Sequence, residues 1–333
     1  MPPALQYIML WLFLMLPMIM SLVLIWAITS NALKLRQEEL ESIYATEESR
    51  FANVDGVRMH YMDQGKGEAV LLLHGSLLSL QSWDSLTFEL VMSGYRVIRP
   101  DLLTSGLTSE DPNGDYTVER NVELIRILAE KLGITRMTVI GTSYGGIIGF
   151  NYAAKYPQNV AKLVLINCGG LPRVKKQGGH SQVGAIFMWM FRRHMTKGMI
   201  QGFLKNNFTR PHRPPQELIK ICHDMRRRIG RNQESDLMIQ QFCTGDPESV
   251  LAKVQAPTFI MWGMDNLTVG HLDADVFEHW LTSAPTTKKK YQGAGHFMFF
   301  EIPDKINRDV RDFLNGDMDD KLRMTQRVLS VNE

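Results

Sequence analysis

The segment spanning residues 139–150, VIGTSYGGIIGF, decides how this chain is read. An apolar run is interrupted at Ser143, with Gly141 on one side and Gly145 and Gly146 on the other. If a strand runs over 136–141 and a helix starts at Tyr144, the serine stands on a sharp turn at the carboxyl edge of a sheet, where open α/β sheets bind ligands. A turn that tight brings strand and helix too close for bulky neighbours, so small residues are needed at 141, 145 and 146. All three are glycine. The Gly-x-Ser-x-Gly pattern therefore reads as a nucleophile elbow that projects a hydroxyl into a cleft.

Outward from this turn, short apolar runs alternate with helix-length segments. The stretch RFANVDGVRMHYMDQG predicts two strands joined at Asp55-Gly56, a dipeptide suited to the positive φ angles of a two-residue hairpin turn. EAVLLLHG, YRVIRPD, RMTVIG, AKLVLIN and PTFIMWG follow as continuous apolar runs, the mark of strands buried on both faces of a parallel sheet. Between Leu171 and Val254 helical segments replace strands, which predicts an inserted cap.

A serine hydroxyl is a weak nucleophile and needs a histidine to take its proton and an acid to orient that histidine. His296 lies in the small-residue loop GAGHF, after a strand-like run and before an amphipathic helix. Asp265 follows the buried run FIMWG. These two are the expected base and acid.

In this order LLLHGS, GTSYGG, WGMDNLT and GAGHFMFFEIPD resemble the α/β-hydrolase fold superfamily over residues 50–315, with a layout similar to membrane-anchored monoacylglycerol lipases and esterases. The resemblance implies an oxyanion hole made by the backbone N–H groups of Ser76 and Tyr144. It also implies a buttressing role for His74 beside Gly75 and a scaffold role for Asp101. One departure stands at the acid, which in this family usually lies three residues beyond the glycine of Trp-Gly. An ungapped count lands on Asn266, whereas a one-residue deletion makes Asp265 the acid, and the latter is the expectation. The family's other acid position falls on INCGG, which carries no carboxylate.

Charge is near balance, with 37 Lys and Arg against 35 Asp and Glu, which argues against a nucleic-acid partner. Three cysteines are too few and too scattered for a disulfide framework or a zinc site, and no metal or cofactor is expected. From Ala4 to Thr29 the chain is almost wholly apolar, matching the roughly 20 residues that cross a bilayer, and it lacks the leading charges of a signal peptide. A single transmembrane helix is expected, with Lys34 and Arg36 favouring a cytoplasmic catalytic domain. Between Leu171 and Ser235, 14 basic residues face three acidic ones, Glu217, Asp224 and Glu234. The apolar run Val183 to Phe191 beside this charge suits an anionic bilayer; alternatively the aromatics pack over the cleft and MRRRIGR, 225–231, is a solvated helix face.

The expected fold class is α/β: a mostly parallel sheet flanked by helices, an inserted helical cap and an N-terminal anchor. The expected parts are an anchor (1–33), a solvated linker (34–49), the core in two pieces (50–170 and 255–315), a cap (171–254) and a polar tail (316–333). The expected function is a membrane-bound serine hydrolase of amphiphilic carboxylic esters, acting through an acyl-enzyme. Serine in place of aspartate excludes ester-forming aspartate chemistry. Carbon–carbon bond hydrolysis or perhydrolysis with the same triad, and a non-catalytic membrane-tethered binding module, are the alternatives.

Overall fold

The apolar runs and the hairpin, joined by a polar edge strand, form one eight-stranded sheet in a computed structural model of the protein, in which residues 11, 13, 15–22, 34–172 and 195–317 are described. The strands are β1 (Ser49–Val54), β2 (Val57–Gly65), β3 (Ala69–Leu73), β4 (Arg96–Pro100), β5 (Met137–Thr142), β6 (Val160–Ile166), β7 (Thr258–Gly263) and β8 (Thr286–Tyr291). They lie in the order β1-β2-β4-β3-β5-β6-β7-β8. The pairs β1–β2 and β2–β4 are antiparallel and all others are parallel. At the hairpin Val54 pairs with Val57, so Asp55 and Gly56 form a two-residue turn with φ of 47° and 85°, as their types require.

Why the runs are apolar throughout is visible in the two cores. Successive strand residues point to opposite faces. Leu71, Leu73, Val139, Leu165 and Trp262 pack on one side with the helices Val118–Lys131 and Tyr144–Lys155. Val70, Leu72, Ile140, Val164 and Met261 pack on the other with Leu86, Val310 and Phe313. With helices on both faces, neither face can be polar. The exposed edge differs: β8 carries Lys288, Lys289 and Lys290, charges that discourage edge-to-edge pairing, and each is ion-paired to a carboxylate on a neighbouring helix.

Two expectations change. The segment 34–49 is no solvated spacer: the helix Gln37–Tyr44 buries Leu40 and Tyr44, one turn apart on the same face, against Leu107, Ile221 and Met225. Between β6 and β7 the helices Lys197–Asn207, Gln216–Arg226 and Arg231–Gln241 form the insertion, but Leu251 and Val254 are fully buried in the main core, so the insertion ends before the expected boundary at 254. Among the described residues no helix is long and apolar enough to cross a membrane. Most of the expected span lies outside the described residues; 15–22 is helical, with Leu16, Met18, Ile19, Met20 and Leu22 exposed. The run 183–191 also lies outside them.

The basic segment 225–231 is not simply a solvated face. Arg228 and Arg231 are 3% and 1% exposed and share Glu234, itself buried. Arg231 donates to Glu234 Oε2 at 2.9 Å and to the Gly106 carbonyl at 2.8 Å, while Arg228 pairs with Glu234 Oε1 and with Glu110 at 3.0 Å. Burial, and then the neighbouring Arg228, push the Arg231 guanidinium down to about 10. These charges tie the insertion to the loop after β4.

That loop is held in turn by Asp101, fully buried. Its carboxylate accepts the N–H groups of Leu80 (2.9 Å) and Leu107 (2.8 Å) and contacts His60 Nδ1 at 2.7 Å. Burial raises its pKa, but the hydrogen bond and charge of His60 outweigh this and hold it at about 2.

Two predictions follow from these buried charges. Glu234→Gln leaves two guanidinium groups without their shared counter-charge, and urea denaturation should show a loss of about 3–5 kcal/mol. Asp101 has a folded pKa of about 2 against an ordinary 3.8. Its stabilisation, about 2 kcal/mol, is therefore complete above the ordinary value and lost as pH falls through the folded one. The deficit of Asp101→Asn, followed by denaturant midpoints from pH 7 to pH 2, should narrow over that window.

Candidate functional site

The turn after β5 has the geometry its glycines imply. Ser143 adopts φ 51° and ψ −114°, a strained conformation for a residue with a side chain. Its carbonyl accepts the N–H groups of Gly146 (3.1 Å) and Gly169 (3.2 Å), and its own N–H donates to Ile166 at 3.2 Å, so the strain is held from both neighbouring elements. A Cβ on Gly141 would stand 2.4 Å from the Gly145 carbonyl, and one on Gly145 would stand 2.2 Å from that of Leu73. At Gly146 it would meet the Cys168 sulfur at 2.5 Å. No other residue type fits these positions without moving backbone or core.

Tyr144 opens the helix that follows, so its N–H is among those without a partner inside the helix. Ser76, exposed on the turn after β3, lines the same cavity as Ser143 and Tyr144. Gly75 lies beneath: a Cβ there would come within 3.2 Å of the Ser143 Cβ. Both ring nitrogens of His74 are engaged, Nδ1 with the Gly75 carbonyl at 2.9 Å and Nε2 accepting from the Leu102 N–H at 3.0 Å. Burial pushes its pKa down, which suits a neutral strut between two loops.

The cavity in front of Ser143 has a volume of about 480 Å³, with apolar walls from Ile147, Leu171, Met238, Ile239 and Phe242. A second, of about 240 Å³, shares Ser76, Tyr144, Met238 and Ile239 with it and is also lined by Arg226 and Asp236. The walls on the insertion side come from the helix Arg231–Gln241 and the residues after it.

His296 is buried in the loop after β8. Its N–H donates to the Asn207 carbonyl at 3.0 Å, and its own carbonyl accepts from Asn167 Nδ2 at 2.9 Å. Asn167 also donates to the Gly295 carbonyl (3.0 Å) and accepts the Gly263 N–H at Oδ1 (2.9 Å). Glu301 closes the loop by accepting the N–H groups of Gly295 and Thr209, both at 3.0 Å, and its burial raises its pKa.

The acid position requires a correction. Asp265 is exposed, and its backbone N–H is bound to the Ala294 carbonyl at 3.0 Å. The next residue turns inward instead: Asn266 is buried, with Nδ2 3.1 Å from His296 Nδ1. The loop needs no deletion. β7 runs through Gly263, where a Cβ would meet the Gly295 carbonyl at 2.4 Å, and the third residue beyond it faces the ring. Sequence reasoning also passed over Asn167 because INCGG offers no carboxylate. The available signal was a lone amide closing the apolar run Leu163–Ile166, since a polar side chain buried there has to be hydrogen-bonded.

Comparison with known proteins agrees with this fold. The profile of the α/β hydrolase fold matches residues 68–303. The chain is 24% identical over 293 residues to the cis-3-alkyl-4-alkyloxetan-2-one decarboxylase of Shewanella oneidensis, covering 79% of this chain and 87% of that protein. It is 27% identical over 276 residues to the 2-hydroxy-6-oxo-6-phenylhexa-2,4-dienoate hydrolase of Comamonas testosteroni, covering 77% and 91%. The crystal structure of a membrane phospholipase A, described as a bacterial virulence factor, superposes with a TM-score of 0.69 at 22% identity over 90% of this chain and 98% of that one. With strand order, elbow and family profile in agreement, the chain belongs to the α/β hydrolase fold family.

Proposed function

We propose that this hydrolase cleaves carboxylic esters with Ser143 as nucleophile and His296 as the group that moves protons. The observation that carries the reading is the strained serine at the head of a helix, fronting an apolar cavity that Ser76 and Tyr144 also line. Attack by Ser143 Oγ on the ester carbonyl gives a tetrahedral oxyanion, which the N–H groups of Ser76 and Tyr144 are suited to receive. Collapse expels the alcohol, protonated through His296, and water then releases the acid from the acyl-enzyme. The apolar walls favour an acyl chain, and a monoacylglycerol- or lysophospholipid-like ester fits them best.

A second reading uses the same serine for carbon–carbon bond hydrolysis. It is favoured by the similarity to a dienoate hydrolase over most of both chains.

Treatment with a fluorophosphonate should modify Ser143, and p-nitrophenyl ester turnover should fall at least about a hundredfold in Ser143→Ala while exposed Lys131→Ala retains it. Absence of both labelling and turnover in the native protein would defeat the ester reading; turnover of a 2-hydroxy-6-oxo-dienoate without ester turnover would select the second.

We also propose that the apolar segment 4–29 anchors the chain as a single-pass helix with the hydrolase on the cytoplasmic side. The length and hydropathy of that segment support this, together with the exposed apolar residues of 15–22. Arg228 and Arg231, both buried, lend it nothing. Full-length protein should stay with the membrane pellet after alkaline carbonate washing, and a variant lacking residues 1–33 should be released; extraction of both would remove the anchor.

A further inference from the structure

Asn266 stands where a carboxylate is expected, and the end of its amide that meets His296 determines what the ring can do. The oxygen of a carboxamide only accepts hydrogen bonds and its NH2 only donates. Asn266 Oδ1 accepts two main-chain donors, the N–H groups of Thr268 at 2.9 Å and Val269 at 3.1 Å. An NH2 group placed there would oppose donor to donor. The amide is thus oriented by the backbone of its own turn, and Nδ2 is the atom left 3.1 Å from His296 Nδ1. Nδ2 donates, so Nδ1 accepts. A neutral imidazole that accepts at Nδ1 carries its proton on Nε2.

We infer that Asn266 is a positioning residue that holds His296 in the Nε2–H tautomer, the reverse of the one a serine-activating base requires. In a Ser-His-Asp site the acid accepts from Nδ1–H, leaving the Nε2 lone pair to take the serine proton. Here the Nε2 proton must first pass to solvent and another must be taken up at Nδ1. Asn266 must then turn its oxygen to the ring and give up both backbone hydrogen bonds. Thr268 and Val269, which supply those bonds, also line the Ser143 cavity, so the turn that sets the tautomer is part of the cleft wall. An aspartate at 266 would carry no such conflict: one oxygen would keep the two N–H groups and the other would accept Nδ1–H. The expected consequence is slow acylation of a serine that is otherwise well placed.

The kinetic consequence rests on the serine-nucleophile reading, whereas the tautomer does not, and the test separates them. Full-length protein labelled with 15N at histidine, with the His296 signals assigned by their loss in His296→Gln, should show long-range proton–nitrogen correlations of an Nε2–H ring. Asn266→Asp should show an Nδ1–H ring, and its second-order rate of fluorophosphonate labelling should rise at least about tenfold. The ceiling is on the order of 10⁴, the loss seen when a serine protease exchanges its acid for asparagine. An Nδ1–H ring in the native protein would overturn the assignment. So would an unchanged labelling rate in Asn266→Asp once its ring has switched. If neither protein is labelled, the nucleophile reading fails, and the native spectrum still decides the tautomer.

Discussion

The organisation of this protein depends on the closeness of backbone to backbone around Ser143. β5, the helix that follows it, the end of β3 and Cys168 after β6 approach so tightly that Gly141, Gly145 and Gly146 have no room for a Cβ. Burial of the apolar strand residues on both faces supplies the driving force that brings these elements together, and the glycines set how near they come. The unfavourable φ of Ser143 persists because hydrogen bonds to its N–H and carbonyl come from β6, the helix and the turn at Gly169. The hydroxyl is thus presented by rigid elements rather than by a mobile loop, as a site dependent on orientation requires.

Around that rigid centre, the loops at the sheet edge are tied down by buried polar side chains. Asn167 joins the ends of β6 and β7 to the His296 loop, Glu301 binds the same loop from the other side, and Asp101 with His74 fixes the loops after β3 and β4. Each satisfies main-chain groups that would otherwise be buried without partners, which costs more than any single such bond contributes. Loop position and site geometry therefore have one cause.

The basic insertion shows the same economy. A run of arginines reads in sequence as a surface feature because charged groups are seldom buried. Here Glu234, three and six residues from the arginines it serves, allows Arg228 and Arg231 to enter the interior, where they fasten the insertion to the loop carrying Gly106. The charges of Arg228 and Arg231 thus serve internal attachment.

What the sequence alone determined was everything governed by local pattern. Continuous apolar runs located the five central strands, Asp55-Gly56 the hairpin and the glycines around Ser143 the elbow, because each reflects a constraint acting within a few residues. The tertiary structure decided which neighbour of a short loop turns inward. Asp265 and Asn266 differ by one position, and chemistry alone favours the carboxylate as the partner of a histidine. The close approach of Gly263 to Gly295 fixes where β7 ends against the His296 loop and so which side chain reaches the ring. The burial of Leu40, Arg228 and Arg231 was likewise set by partners remote in the chain, and local polarity carries no record of a counter-charge or an apolar face supplied from elsewhere in the fold.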